Sequence, residues 1–131
     1  MKKFGIIGAG NGGQSIIADL VLKKVKVSGI YDCNPDPILA IKKQGGIRMV
    51  GPVLSGFVKI PLATKNIEEI VKLSDVLLIA VPATAHETLA KQLAPYLRPN
   101  QLVVLFPGYV GGTIIFRRIL DRYSNAKKVI L

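Results

Sequence analysis

The chain has 131 residues, enough for one domain with a core of ordinary size. Half of them are hydrophobic and a fifth are charged, which excludes intrinsic disorder, and no apolar run approaches the roughly eighteen residues that cross a bilayer. A single cysteine, Cys33, excludes an internal disulfide framework, and eighteen Lys and Arg against eight Asp and Glu give a net charge of +10.

Met1-Lys2-Lys3 leads straight into a strand-like run over Lys3–Gly8, without the apolar segment and cleavage site of a secretory signal, so a cytoplasmic protein is expected. From Asn11 to about Lys24 the spacing of Ile16, Ile17, Leu20 and Val21 predicts a helix. β-branched residues over Lys24–Asp32 predict a second strand. A short helix follows, with Pro37 in its first turn and Gly45-Gly46 closing it. Residues 46–60 break the rhythm: two strand-like pieces flank Gly51-Pro52 and Ser55-Gly56, an edge hairpin or a paired excursion. A helix from about Ile67 is expected to be capped by Asn66, with Glu69 three residues on. Asp75–Val81 is apolar at nearly every position, as in a central parallel strand covered on both faces. Thr84-x-x-Glu87 reads as a capping box opening a helix to about Leu97. A strand over Gln101–Phe106, a helix from Gly112 to Tyr123 and a last strand in Lys127–Leu131 complete the chain. Strands separated by helices of this length imply a single α/β domain. Its class is Rossmann-type: a doubly wound, mostly parallel sheet with helices on both faces.

Gly5–Ile17 carries five glycines in nine residues just where the first strand meets the first helix. Gly8, Gly10 and Gly13 fit G-x-G-x-x-G. Gly8 permits the tight turn, Gly10 lets backbone approach a pyrophosphate, and Gly13 lets the helix lie close to the sheet. Gly12 is an additional glycine, and Asn11 tolerates unusual backbone angles. The new helix then presents free N–H groups and its positive end to the phosphates. Asp32 closes the second strand nineteen residues after Gly13. A carboxylate there accepts hydrogen bonds from the adenosine ribose and repels a 2′-phosphate, which favours NAD over NADP; nearby lysines leave NADP possible. A loop-capping role is the structural alternative for Asp32.

The excess of bases falls in scattered pairs (Lys23-Lys24, Lys42-Lys43, Arg117-Arg118, Lys127-Lys128), mostly at predicted helix ends. With few aromatics to stack bases, this favours a basic surface attracting anionic substrates over a nucleic-acid surface. No pair of His or Cys has metal-ligand spacing, and one histidine in the whole chain makes a Ser-His-Asp hydrolase a poor fit for Ser15 or Ser55.

"GAGNGGQSIIADL", "YDCNPD", "DVLLIAVPATAHETLAKQLAPYL" and "LVVLFPGYVGGTIIFRRIL" together resemble, in order and along essentially the whole chain, the N-terminal domain of the NAD(P)-dependent octopine/nopaline (opine) dehydrogenases. The combination of G-x-G-N-G-G, V-P-A-x-x-H and P-G-x-x-G-G is narrower than the glycine motif alone. Glycerol-3-phosphate dehydrogenase and ketopantoate reductase are more distant relatives in architecture. The resemblance implies reductive condensation of a 2-oxo acid with an amino acid, with hydride from NADH or NADPH. It places Gly8–Gly13 on the pyrophosphate, Asp32 on the adenosine ribose, and Val81, Pro82 and Ala83 along the nicotinamide half of the groove. Phe106 stands where family members commonly carry Asn, which alters a polar contact near the nicotinamide or substrate. The resemblance further implies a second, helical domain with the catalytic histidine and the amino acid and 2-oxo acid contacts, so this chain is expected to bind NAD(H) with little turnover. His86 either assists near the nicotinamide or is a partly exposed polar residue in a capped first turn. Cys33 is either a reactive thiol beside the adenosine pocket or a small filler at a strand end. Apolar surface left for an absent domain predicts a homodimer or larger species. Two other classes fit the residues: a stand-alone dimeric module that senses NAD(H) or a related nucleotide, and a scaffold that has lost its ligand.

Overall fold

The computed structural model describes residues 1–52, 55–106 and 111–131. In chain order the elements are β1 (Phe4–Ile7), α1 (Asn11–Leu22), β2 (Val27–Tyr31), α2 (Pro35–Gln44), β3 (Gly46–Met49), β4 (Gly56–Lys59) and β5 (Ala63–Thr64). After these come α3 (Ile67–Leu73), β6 (Val76–Ile79), α4 (His86–Leu93), β7 (Leu102–Leu105) and α5 (Gly112–Leu120).

Five strands form one sheet in the order β5-β2-β1-β6-β7, and every pairing in it is parallel. The chain starts in the middle, winds outward through β2 and β5, then returns to lay β6 and β7 on the other side of β1. That reversal opens a crevice at the C-terminal ends of β1 and β6, the place where open α/β sheets hold ligands. The class expected from the alternating pattern is the one observed.

Side-chain alternation along the strands builds two cores. Ile6 and Ile30 join Ile17 and Ala18 of α1 and Ile38 and Ile41 of α2 on one face. Ile7, Leu77, Ile79, Val103 and Leu105 pack on the other against α3, α4 and α5, including Ile70, Leu93, Phe116 and Leu120. Continuous apolar runs such as Val76–Ile79 are what a strand sandwiched between two helix layers requires.

Local chemistry sets most boundaries. Asn34 caps α2 by accepting from the Asp36 N–H at 3.1 Å, and Gly45 closes that helix at φ 75°, a left-handed position that suits glycine. Asn66 caps α3 through the Glu68 N–H, as expected. Glu69, however, does not reach back to Asn66; its carboxylate accepts from the Thr64 hydroxyl at 2.8 Å, and Thr64 in turn accepts the Asn66 N–H at 2.9 Å.

Three expectations need correction and a fourth is narrowed. The expected hairpin at residues 46–60 forms, pairing Gly46–Met49 with Gly56–Lys59, and of its two placements it is the paired excursion, a separate antiparallel sheet, rather than the edge of the main one. The edge position belongs to the two-residue β5, which no sequence pattern announced. Thr84 does not cap α4: residues Ala83–Ala85 form a 3-10 turn, and the residue preceding α4 is Ala85, which makes no side-chain cap. That helix also stops at Leu93 instead of Leu97, because Pro95 has no N–H to continue the ladder. Finally, the expected last strand contributes a single parallel bridge, Ile130 to Leu102.

Opposite the crevice, buried polar groups lock α3 to the sheet. The Gln101 side chain, 4% exposed, donates to the carbonyls of Val71 at 3.0 Å and Ser74 at 2.8 Å while accepting the Arg98 N–H at 3.0 Å. Gln101→Ala removes one of the two side-chain donors to each of the Val71 and Ser74 carbonyls, Arg98 keeping the other, and the acceptor for the Arg98 N–H. We expect a loss of about 0.5–1.5 kcal/mol in urea unfolding, and an unchanged midpoint would show that Arg98 alone suffices.

Candidate functional site

The β1–α1 connection is shaped by backbone rather than side chains. Gly8 adopts φ +111°, and a Cβ there would sit 2.3 Å from the Ala80 carbonyl oxygen. Its N–H donates to the Tyr31 carbonyl at 2.7 Å, which ties the turn to the end of β2. A Cβ on Gly13 would lie 1.7 Å from the Gly8 carbonyl oxygen, so α1 touches the turn backbone to backbone. Around Gly10 and Gly12, by contrast, an added Cβ meets nothing within 4 Å. Two glycines of the motif therefore serve packing, and two leave open backbone at the mouth of the crevice.

The first intrahelical bond of α1 runs from the Gln14 N–H to the Gly10 carbonyl at 3.0 Å. The N–H groups of Asn11, Gly12 and Gly13 thus have no intrahelical acceptor and sit at the helix's positive end. Two side chains brace the loop below them. The Asp32 carboxylate accepts the Ala9 N–H at 2.7 Å through Oδ2 and the Asn34 N–H at 2.9 Å through Oδ1. The Gln14 amide donates to the Ala9 carbonyl at 2.8 Å. Asp32 thus has the loop-bracing role weighed as its structural alternative, and each oxygen keeps a lone pair for a further donor.

Two cavities flank this cradle. One of about 130 Å³ lies where β1, β2 and the residues after β6 converge, between Gly8, Tyr31, Asp32, Cys33, Val81 and the α4 face of Thr88 and Gln92. Ala85, Thr88, Leu89 and Gln92 recur at three- and four-residue spacing, so this wall was readable as one helix face. Burial, with the neighbouring Cys33 and Asp32, pushes the Tyr31 phenol above its ordinary range. The other cavity, about 440 Å³, runs along Gly12, Ser15, Ile16, Ala80, Val81, Pro82 and Phe106. Ala83 follows directly, exposed at the start of the 3-10 turn.

The structure therefore brings Gly8, Gly10, Asn11, Gly12, Gly13, Asp32, Val81, Pro82 and Ala83 to one edge of the sheet. His86 opens α4 at the same end of the sheet, but its side chain is buried rather than exposed to the groove. It is 1% exposed, which corrects the expectation of a partly exposed residue, and its ring packs edge-on against Phe116 with centroids 5.7 Å apart. Gly112 makes room for it: a Cβ there would come within 3.2 Å of His86 Nδ1. Cys33 is exposed at the rim of the smaller cavity. Of the P-G-x-x-G-G segment, Pro107 and Gly108 lie outside the described residues, while Phe106 is 55% exposed. Gln14, Tyr31, Thr88 and Gln92 are contributors that motif reading had not singled out. Among the described residues no group of three or more His, Cys, Asp or Glu could hold a metal ion, and no helix is long and apolar enough to cross a membrane.

Residues 3–105 match the family model described as "NADP oxidoreductase coenzyme F420-dependent". The chain belongs to this family. As a member of the F420-dependent NADP oxidoreductase family it is also 38% identical over 130 residues to an opine dehydrogenase of Arthrobacter sp. (strain 1C), a match covering 99% of this chain and 36% of that protein. Among solved structures, octopine dehydrogenase in complex with NADH and agmatine is similar with a TM-score of 0.78 at 25% identity, over 98% of this chain and 34% of that one. Octopine dehydrogenase with NADH and pyruvate gives a TM-score of 0.77 at 26% identity, over 98% and 34%. This family member thus spans about a third of the length of the relatives it matches. The opine dehydrogenase resemblance read from the sequence holds over nearly the whole chain.

Proposed function

We propose that this chain is the dinucleotide-binding domain of an opine-type dehydrogenase, an oxidoreductase acting on CH–NH bonds that joins a 2-oxo acid to an amino acid. The observation that carries this is the open backbone at Gly10 and Gly12, set at the free N–H end of α1 with the Asp32 carboxylate beside it. The 38% identity to an opine dehydrogenase supports the reaction class. NAD(H) is the preferred cofactor and NADP a possible one.

When bound, the nicotinamide cofactor supplies or accepts the hydride. The chain's own residues hold and orient it. Backbone N–H groups at Asn11–Gly13 accommodate the diphosphate, where no Cβ intervenes at Gly10 or Gly12. Asp32 takes ribose hydroxyls on the lone pairs left by Ala9 and Asn34. Val81, Pro82 and Phe106 supply the apolar wall that keeps water from the other end of the groove. His86, buried against Phe116, is a packing group in this scheme. On this reading the groups that recognise amino acid and oxo acid belong to the remaining two-thirds of such an enzyme. The chain alone binds NADH without turnover.

NADH fluorescence can be titrated without interference, since the chain contains no tryptophan. Saturable enhancement by this chain is expected, and no binding of NADH or NADPH would refute the proposal. Asp32→Asn keeps an oxygen for the Ala9 N–H but removes the charge that repels a 2′-phosphate. The ratio of NADPH to NADH affinity should rise about tenfold, equivalent to roughly 1.4 kcal/mol. A ratio equal to that of the wild type would separate Asp32 from ribose recognition.

A further inference from the structure

We propose that Arg48, on the small hairpin, is a second anchor for the cofactor's diphosphate, reaching it from across the cavity that faces the first turns of α1. This rests on the dinucleotide reading above and names a residue that neither the glycine motif nor its acidic partner includes.

Between the first turns of α1 and the β3 strand lies a cavity of about 430 Å³. Asn11, Gln14 and Ser15 form its helix side; Arg48 and the segment 50–52 form its hairpin side. Asn11 directly follows Gly10, and Ser15 also borders the cavity that runs to Val81 and Phe106, so this space adjoins the cofactor groove. None of its described lining residues is acidic. Among the described residues Arg48 makes no hydrogen bond or ion pair, whereas Lys23, Lys72, Lys91 and Arg117 each hold a carboxylate and Arg98 holds three carbonyls.

The strand that carries Arg48 is firmly seated. Its neighbour Ile47 is 6% exposed and the facing Val58 is 3% exposed, both within the core formed with α1 and α2. A guanidinium on a fixed strand loses less entropy on binding than one on a free loop. The electrostatics also call for it. A diphosphate brings two negative charges, while the positive end of a helix offers the equivalent of about half a unit charge. A guanidinium supplies a full charge and a fork of donors matched to phosphate oxygens.

The test uses this chain, titrated with NADH, ADP-ribose and adenosine at low and moderate salt. Arg48→Ala should weaken NADH and ADP-ribose about tenfold or more, leave adenosine unchanged and flatten the salt dependence of NADH binding. Arg48→Lys should fall between the two. If Arg48→Ala lowers the thermal midpoint, Arg48→Gln, which keeps most of the side-chain stem, makes the same comparison. Wild-type affinity for NADH in these variants overturns the assignment while leaving the dinucleotide reading intact. So does an equal loss for adenosine, which would mark a structural role. Failure of the wild-type chain to bind NADH removes the reading on which the assignment rests.

Discussion

Gly13→Ala is expected to destabilise the chain by about 3 kcal/mol or more, the upper end of overpacking costs. The added methyl would lie 1.7 Å from the Gly8 carbonyl oxygen and 2.8 Å from its carbon, and neither is a flexible side-chain tip. Gly8 cannot retreat, because Ala80 backbone stands 2.3 Å from its own Cβ position and its N–H is bound to Tyr31. The helix must therefore move away from β1, loosening Ile17 and Ala18, both fully buried. Urea unfolding measures the loss. Gly12→Ala is the internal control, with open space around it and a helical backbone that favours alanine. If Gly13→Ala matched that control in stability, α1 would have room to slide and the backbone contact would not be structural.

The companion substitution, Gly10→Ala, should do the reverse. Its backbone at φ −75°, ψ −172° is open to any residue, and nothing lies within 4 Å of the new methyl. Folding should change by less than about 1 kcal/mol, the scale of a neutral cap replacement. The methyl would, however, occupy the space through which phosphate oxygens reach the N–H groups of α1. NADH affinity should fall about 30- to 100-fold, equivalent to roughly 2–3 kcal/mol. A variant with intact stability and intact NADH affinity would mean that the diphosphate does not lie against this backbone. Together the two alanines divide one short motif into a packing glycine and a binding glycine.

Much of the architecture was legible because local pattern and tertiary need coincide. Val76–Ile79 is apolar throughout since helices cover both its faces, and the Asn66 and Gly45 boundaries follow from chemistry confined to a few neighbours. Two of the misses have a non-local cause. Ala63–Thr64 is too short to show any period and becomes a strand only by pairing with Ile30 and Tyr31. His86 looks solvent-facing beside Thr84 and Glu87, yet Phe116 and Gly112, some thirty residues away, enclose it. At the site, the glycines and Asp32 were legible from spacing. The link between Asp32 and the Ala9 N–H spans 23 residues and needed coordinates. Arg48 had no motif to announce it.

The hairpin shares no ladder with the five-stranded sheet among the described residues, and it joins the rest through Gly45-Gly46 on one side and the segment before Ala63 on the other. Insertions or exchanges within it would shift no register in the main sheet. The exposed side of the hairpin is therefore free to diversify, provided that Ile47 and Val58 keep their places in the core with α1 and α2. Grafting hairpins of different charge onto this domain offers a way to retune anion affinity without rebuilding the fold.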